Sequence, residues 1–308
     1  IISYIFDEFN FGPTTPVMNK SLKIAIDNKM DAIFEYLLDR YKIIPSIDVL
    51  VSACKSGNAK ISKKLIDLIY EENPSIDFSD TLIQSGLNGL LEAFQYLVDK
   101  KVCFKISKLK SIASKFIQSN EKTFIILMGI ADPESKEVMI KGALTEAIQN
   151  HKKETVKFLL NENVDLNNSL FEAIESDDLE IFDMILEHNK KTFFVNQIDE
   201  EKGTPLHFAV INNKLDFVKR LLAVPGINPN LYSFGYETPL CAAVTNIYVD
   251  IVDAILDFYG DDIQSQIWQV NESLKCLVPC SLNKNGIAIL NRLVRIENVD
   301  LNIYTENV

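Results

Sequence analysis

The sequence predicts an all-α fold: an α-solenoid in which about nine short helix-turn-helix units stack in single file as one array over residues 1–308. Three observations predict it. One apolar spacing recurs along the chain, turn-forming residues follow it at a fixed distance, and helix N-cap residues precede it.

The spacing is displayed by residues 203–222, GTPLHFAVINNKLDFVKRLL. Thr204 can cap a helix that Pro205 enters, because a threonine hydroxyl accepts from free amides and a proline at the first position has none to waste. Asn212-Asn213 ends that helix, and a second apolar stretch, Leu215 to Leu222, begins at once. Counted from Leu206, a small residue stands at +3 (Ala209) and apolar residues at +12, +15 and +16 (Val218, Leu221, Leu222). Leu240, Leu144 and Leu170 satisfy the same template completely, with Ala243, Ala147 and Ala173 at +3. Upstream, Leu22 gives Ala25, Phe34, Leu37 and Leu38, while Leu82 gives Ser85, Phe94, Leu97 and Val98. Three matches are weaker: Leu50 has Ser62 at +12, Ile112 has Lys115 where a small residue belongs, and Val278 has Ser281. The anchors at 22, 50, 82, 112, 144, 170, 206, 240 and 278 are spaced by 32 residues on average. A small +3 residue lets neighbouring first helices approach closely, so Lys115 predicts a locally shifted helix or a polar end reaching solvent.

Positions outside the template keep its register. At +6 stand Asn28, Ser56, Asn88, Gln118, Asn150, Ser176, Asn212, Asn246 and Lys284, nearly all of them turn formers. At +7, Gly57, Gly89, Asn213 and Asn285 tolerate positive φ. At −2, Asp48, Asp80, Gly142, Asn168, Thr204 and Thr238 are acceptable N-caps; Lys20, Lys110 and Cys276 are not. The ends are ragged: residues 1–12 read as a partial repeat through Ile2, Ile5 and Phe6, and 300–308 as the start of a further finger. A chain cut from a longer array is the expectation.

The stretches TPLHFA (204–209), TPLCAA (238–243) and VDLN (164–167 and 299–302) resemble the ankyrin repeat family. The resemblance implies units of a β-turn finger followed by two helices, about 33 residues long. Only the repeats at Leu206 and Leu240 carry the TPL signature, and the 26 residues between Leu144 and Leu170 imply a shortened finger. The structural motif comprises Thr204, Pro205, Leu206 and His207, with Thr238, Pro239 and Leu240.

Composition narrows the function. Hydrophobic residues make up 47% and charged residues 24%, as in folded soluble proteins. The 43 acidic against 31 basic residues give a net charge of −12, which argues against nucleic acid and for a protein or peptide partner of basic character. The apolar run 124–128 is far below the length needed to span a bilayer, so no membrane insertion is expected. Cys54, Cys103, Cys241, Cys276 and Cys280 are odd in number and contain no CxxC pair, so neither a disulfide framework nor a zinc site is expected, and the cytoplasm is the expected location. Cys54 should face the core; Cys241 should be accessible. The sequons at Asn19, Asn167 and Asn271 read as chance.

No catalytic constellation emerges, and no cofactor or metal is expected. His207 reads as a neutral ring bonded to the backbone of adjacent turns; His151 and His188 belong to other repeats. Lys202-Gly203-Thr204 lacks the earlier glycine and the strand of a phosphate loop. The acidic pairs Glu200-Glu201, Asp177-Asp178 and Asp261-Asp262 read as solvated charges or as a surface for a basic partner. Phe258, Tyr259, Ile267 and Trp268, in the 38-residue interval before Val278, form either a small satellite core or an exposed aromatic anchor. The family resemblance implies a binding surface on the concave face, at −6, −5, −3, +5 and +6. Those positions include Gln149, Asn150, Glu175, Ser176, Glu200, Glu201, Ile211, Asn212, Phe234, Glu237, Thr245 and Asn246. The expected function is a monomeric, non-enzymatic interaction scaffold, or alternatively the recognition arm of a larger enzyme or effector. Family members also carry hydroxylated finger asparagines, which would map onto Asn167, Asn230 or Asn302.

Overall fold

Helix-turn-helix pairs fill the structure, a computed structural model that describes residues 14–105, 107–108, 112–162, 164–188, 192–232, 237–277 and 283–300. Among the described residues there is no β-strand, only an isolated antiparallel bridge between Asp199 and Gly203. The pairs fall into two compact units, Ile1–Val164 and Asp165–Val308.

In the first unit the pairs are α1 (Thr15–Asp27) with α2 (Asp31–Tyr41), α3 (Ile47–Lys55) with α4 (Ala59–Glu72), and α5 (Ser79–Leu87) with α6 (Leu91–Asp99). They continue with α7 (Ala113–Ser119) and α8 (Glu121–Ile130), an intervening α9 (Pro133–Ile140), then α10 (Ala143–Gln149) and α11 (Lys153–Leu160). First helices pack in the order α1, α3, α5, α7, α10, and second helices α4, α6, α8, α11 run beside them. The second unit repeats the scheme with α12 (Ser169–Glu175) and α13 (Leu179–His188), the single-turn α14 (Thr192–Val195), α15 (Pro205–Ile211) with α16 (Leu215–Leu222), and α17 (Pro239–Thr245) with α18 (Val249–Tyr259). A 3-10 turn, Gly260–Gln266, leads into α19 (Ile267–Leu277) and α20 (Lys284–Leu293), which pack on α17 and α18 respectively.

The template positions are the core. The anchors Leu22, Leu50, Leu82, Leu170, Leu206 and Leu240 are fully buried, and so are the small residues Ala53, Ser85, Ala147, Ala173, Ala209 and Ala243 at +3. Ser62, the polar exception at +12, is buried as well, with its hydroxyl donating to the Asn58 carbonyl at 2.8 Å. Edge-to-face aromatic pairs join consecutive repeats, Phe171 to Phe208 at 5.6 Å and Phe182 to Phe217 at 5.0 Å.

The turn between the helices is the most regular feature. At +7, Lys29, Gly57, Gly89, His151, Asp177, Asn213 and Ile247 are all left-handed, with φ between 53° and 80°. In each turn the +8 amide donates to the +3 carbonyl and the +7 amide to the +4 carbonyl, as in Lys214 to Ala209 and Asn213 to Val210. That double bond pattern satisfies carbonyls that a helix end otherwise leaves unpaired, and it reverses the chain in three residues.

Departures from the expected register have local causes. Asn120 ends α7 and also begins α8, so this turn is shorter than the others. The first helix is displaced: its caps, Ile112 and Asn120, stand two residues later than the −2 and +6 positions of the template, Ala113, Phe116 and Ile117 are buried, and Lys115 is exposed. Asp48 and Asp80 lie in the first turns of α3 and α5, where Ser46 and Phe78 are the N-caps. Helix α9 was not anticipated; Asp132 caps it by accepting from the Ser135 amide, and Pro133 opens it. Val278 and Ser281 lie outside the described residues, Asn285 sits in the first turn of α20 and not in a left-handed turn, and Val294 is exposed. Residues 1–12 and 301–308 also lie outside the described residues.

Candidate functional site

The second unit presents one finger whose construction is complete. Asp199 and Gly203 exchange backbone bonds of 2.9 and 3.0 Å, and the Asp199 carboxylate accepts from the Lys202 and Glu201 amides at 2.8 and 2.9 Å. Those amides, Lys202 first and then Glu201, hold the Asp199 carboxyl below its usual range. Gly203 closes the finger at φ 73°, a conformation that favours glycine. Glu200 and Glu201 are left exposed at the tip. Beside them the Lys202 ammonium lies over the rings of Phe208 and Phe171, 5.1 and 5.7 Å from their centroids, and pairs with Glu175 at 3.7 Å.

Below the finger the TPL motifs act as helix starts. Thr204 Oγ1 accepts from the His207 amide at 3.2 Å and Thr238 Oγ1 from the Cys241 amide at 3.3 Å; Pro205 and Pro239 occupy the first helical position. The His207 ring is fully buried between two repeats. Nε2 lies 2.7 Å from the Glu237 carbonyl, which can only accept, so Nε2 carries the proton and Nδ1 accepts from the Thr204 hydroxyl at 2.9 Å. Burial lowers the His207 pKa, with the Glu237 carbonyl opposing. Such a ring, bonded at both nitrogens and shielded from solvent, has no free group for catalysis. His151 and His188 are exposed in other repeats.

The predicted partner-contacting residues divide. Glu175, Ser176, Glu200, Glu201, Ile211, Asn212, Glu237, Thr245 and Asn246 belong to the second unit and Gln149 and Asn150 to the first; Phe234 lies outside the described residues. Ile211 is half exposed at 50%. The +6 asparagines have a structural task that sequence reasoning missed. In Asn150, Asn212 and Asn246 the side-chain amide donates to the carbonyl four residues back at 2.8 Å, as Asn28 and Asn88 also do. Their appearance in several repeats was the available signal. The Glu237 carboxylate accepts from the Thr245 hydroxyl at 3.1 Å. Trp268 and Phe258 are exposed, with Trp268 6.1 Å from Tyr232 between centroids, whereas Tyr259 is buried and its hydroxyl donates to Asn230 Oδ1. The aromatic interval is thus partly core and partly surface.

The cysteines depart from expectation. Cys241 is buried, not accessible, and forms a disulfide with Cys276 at a Cα separation of 6.2 Å. The bond ties α17 to α19, so the odd count no longer argues for a reducing compartment. The signal was their separation of 35 residues, close to one repeat period, which brings neighbouring first helices together. Cys54 is buried as expected, and burial pushes its thiol up to about 11.

Residues 170–267 match the family model described as ankyrin repeats (3 copies). Among curated proteins, the NAD-dependent deacetylase sir2B of Dictyostelium discoideum is 23% identical over 142 residues, 44% of this chain and 17% of that protein. The human transient receptor potential cation channel subfamily A member 1 is 30% identical over 91 residues, 30% of this chain and 8% of that protein. The chain therefore spans less than a fifth of either relative. Solved structures similar to it include the ankyrin repeat domain of Bcl-3, described as a unique member of the IkappaB protein family, with a TM-score of 0.49, 18% identity and coverage of 67% of this chain and 96% of that one. An ankyrin repeat protein from Leishmania major gives 0.42 at 14% identity, covering 81% and 97%. No helix among the described residues is long and apolar enough to cross a membrane.

Proposed function

From the ankyrin repeats matched over residues 170–267 we propose that the chain is a non-enzymatic scaffold that captures a protein or peptide of basic character on the face carrying the Asp199–Gly203 finger. Ankyrin repeats are in general protein-interaction modules, and the fold is typically non-catalytic. The observation that carries the reading is the finger. Asp199 spends its carboxylate on the turn, so the loop is preformed, and Glu200 and Glu201 project from it without an ion pair among the described residues. Two exposed carboxylates on the finger, with Ile211 exposed at the end of the following helix, suit a partner with cationic and apolar anchors, and a preformed loop spares the ordering cost of binding.

The test is capture from native lysate by the wild-type chain and by Glu200→Lys/Glu201→Lys, compared by mass spectrometry at low and high salt. The reading expects species held by the wild type at low salt, lost on charge reversal and weakened by salt. Identical capture by both proteins across the salt series would refute the acidic finger as the contact.

A second reading, the recognition arm of a larger enzyme or effector, is favoured by one observation: the matching stretch is 17% and 8% of the two curated relatives. The full-length gene product decides between them, since this reading requires a further enzymatic or effector domain in the same polypeptide.

A further inference from the structure

The disulfide has a neighbour that it does not need. The Glu237 carboxylate lies beside the Cys241–Cys276 pair, with one ligand atom from each of the three residues within 4.8 Å of the others. It accepts from the neutral Thr245 hydroxyl, and no ion pair with a described cation balances its charge. Two sulfurs and a carboxylate oxygen, converging from the start of α17 and the end of α19, form a ligand set of the kind that holds zinc.

We propose that Glu237, Cys241 and Cys276 form a Zn2+ site in the reduced protein, of which the disulfide is the oxidised, metal-free form. Reduction by a dithiol breaks the S–S bond and gives two thiols, while the reductant closes to its own cyclic disulfide. Zn2+ then replaces the two thiol protons, which leave to solvent, and the Glu237 carboxylate supplies the third ligand. Among the described residues no fourth ligand joins the cluster. Zn–S bonds of about 2.3 Å and Zn–O bonds of about 2.0 Å place tetrahedral ligand atoms roughly 3.5–3.8 Å apart. The three side chains therefore need to move by only about an ångström to enclose the ion, and the Cα separation of 6.2 Å leaves room between the sulfurs. Metal and disulfide serve the same joint, since each ties α17 to α19.

The site excludes the other described cysteines, because Cys54 is buried in the first unit with its thiol at about 11, and Cys103 is exposed there. The experiment uses the full chain, reduced with dithiothreitol, freed of reductant under nitrogen and titrated with Co2+ as a spectroscopic stand-in for Zn2+. A thiolate-to-cobalt absorption saturating at one equivalent is expected, displaced by Zn2+ and absent from the oxidised protein. Cys276→Ser should abolish it and Cys103→Ser should leave it unchanged. Glu237→Gln should weaken the metal by more than the roughly tenfold that loss of an outer-shell partner costs. In the wild type, Zn2+ should also protect Cys241 and Cys276 together from iodoacetamide, a readout that does not depend on a variant folding. Absence of the band from reduced wild type, its survival in Cys276→Ser, unchanged affinity in Glu237→Gln, or alkylation of both cysteines despite Zn2+ each overturns the assignment.

Discussion

Gly86 offers the sharpest test of how the stack is packed. It lies inside α5, where replacement by alanine normally stabilises a helix by about 1 kcal/mol. Here a Cβ would stand 2.7 Å from Phe116 Cε1 and 2.7 Å from Thr123 Cγ2, closer than real Cβ contacts come. Neither neighbour can withdraw. Phe116 and Thr123 are fully buried, and Phe116 packs edge-to-face on the equally buried Phe94 at 6.1 Å. Overpacking of a well-filled core costs about 1–3 kcal/mol, and two simultaneous contacts put Gly86→Ala toward the upper part of that range, enough to reverse the helix gain. The net loss expected is about 1–2 kcal/mol, a fall in Tm of about 2–8 °C for a unit of this size. Thermal unfolding followed by circular dichroism measures it. A double-mutant cycle locates the cause: Phe116→Leu frees the space, so Gly86→Ala should cost less in that background. If Gly86→Ala raises Tm, or if its cost is the same with leucine at 116, the close approach of α5 and α7 is not what holds Gly86 in place.

Two further predictions concern single residues in the second unit. Burial depresses the His207 pKa below the roughly 6.5 of the unfolded chain, so the unfolded state takes up the proton first; stability is full above about pH 6.5 and falls as pH drops toward the depressed folded value. Urea midpoints of wild type and His207→Gln measured on both sides of that pH should show the acid-side loss in the wild type and a smaller one in the variant, and parallel profiles would contradict it. Ile247, β-branched at φ 61°, carries a left-handed strain of about 1–2 kcal/mol, so Ile247→Gly should raise Tm by several degrees in a thermal shift assay. A fall would mean that the half-buried side chain contributes more packing than its backbone loses.

The fold was legible because its constraints recur. A leucine anchor, a small +3 residue and an apolar triplet at +12, +15 and +16 specify the same buried seam each time, and a mismatch such as Ser62 is absorbed by one hydroxyl bond. The left-handed +7 position was legible only where Gly57, Gly89 and Asn213 advertise it. Lys29, His151, Asp177 and Ile247 adopt it because the two bonds on either side of the turn and the packing of both helices override local preference. The displaced helix at Ile112 was illegible for the opposite reason. A turn shortened by letting Asn120 serve two helices leaves no compositional mark, and the compensation for a bulky Phe116 sits in another repeat, at Gly86. The candidate site was legible in its finger, where acidic residues precede a glycine, and illegible in its asparagines, whose amides are committed to carbonyls within their own helices.

Glu237 is where these layers meet, and its two ends act differently. Its main-chain carbonyl accepts a hydrogen bond from His207 Nε2–H of the preceding repeat, so the backbone there belongs to the buried polar joint. Its side chain receives the Thr245 hydroxyl and faces the Cys241–Cys276 pair, so the carboxylate belongs to the surface and to the sulfur chemistry. Glu237→Gln keeps the carbonyl, the side-chain oxygen and the volume, and removes one charge. A large loss of stability in that variant would show that the charge itself matters to the fold, because the hydrogen bond to His207 is untouched. A loss confined to metal affinity or partner capture would separate the outward role of the residue from its inward one, which substitution of His207 or Thr204 cannot do, since both reach the partner face only through the core.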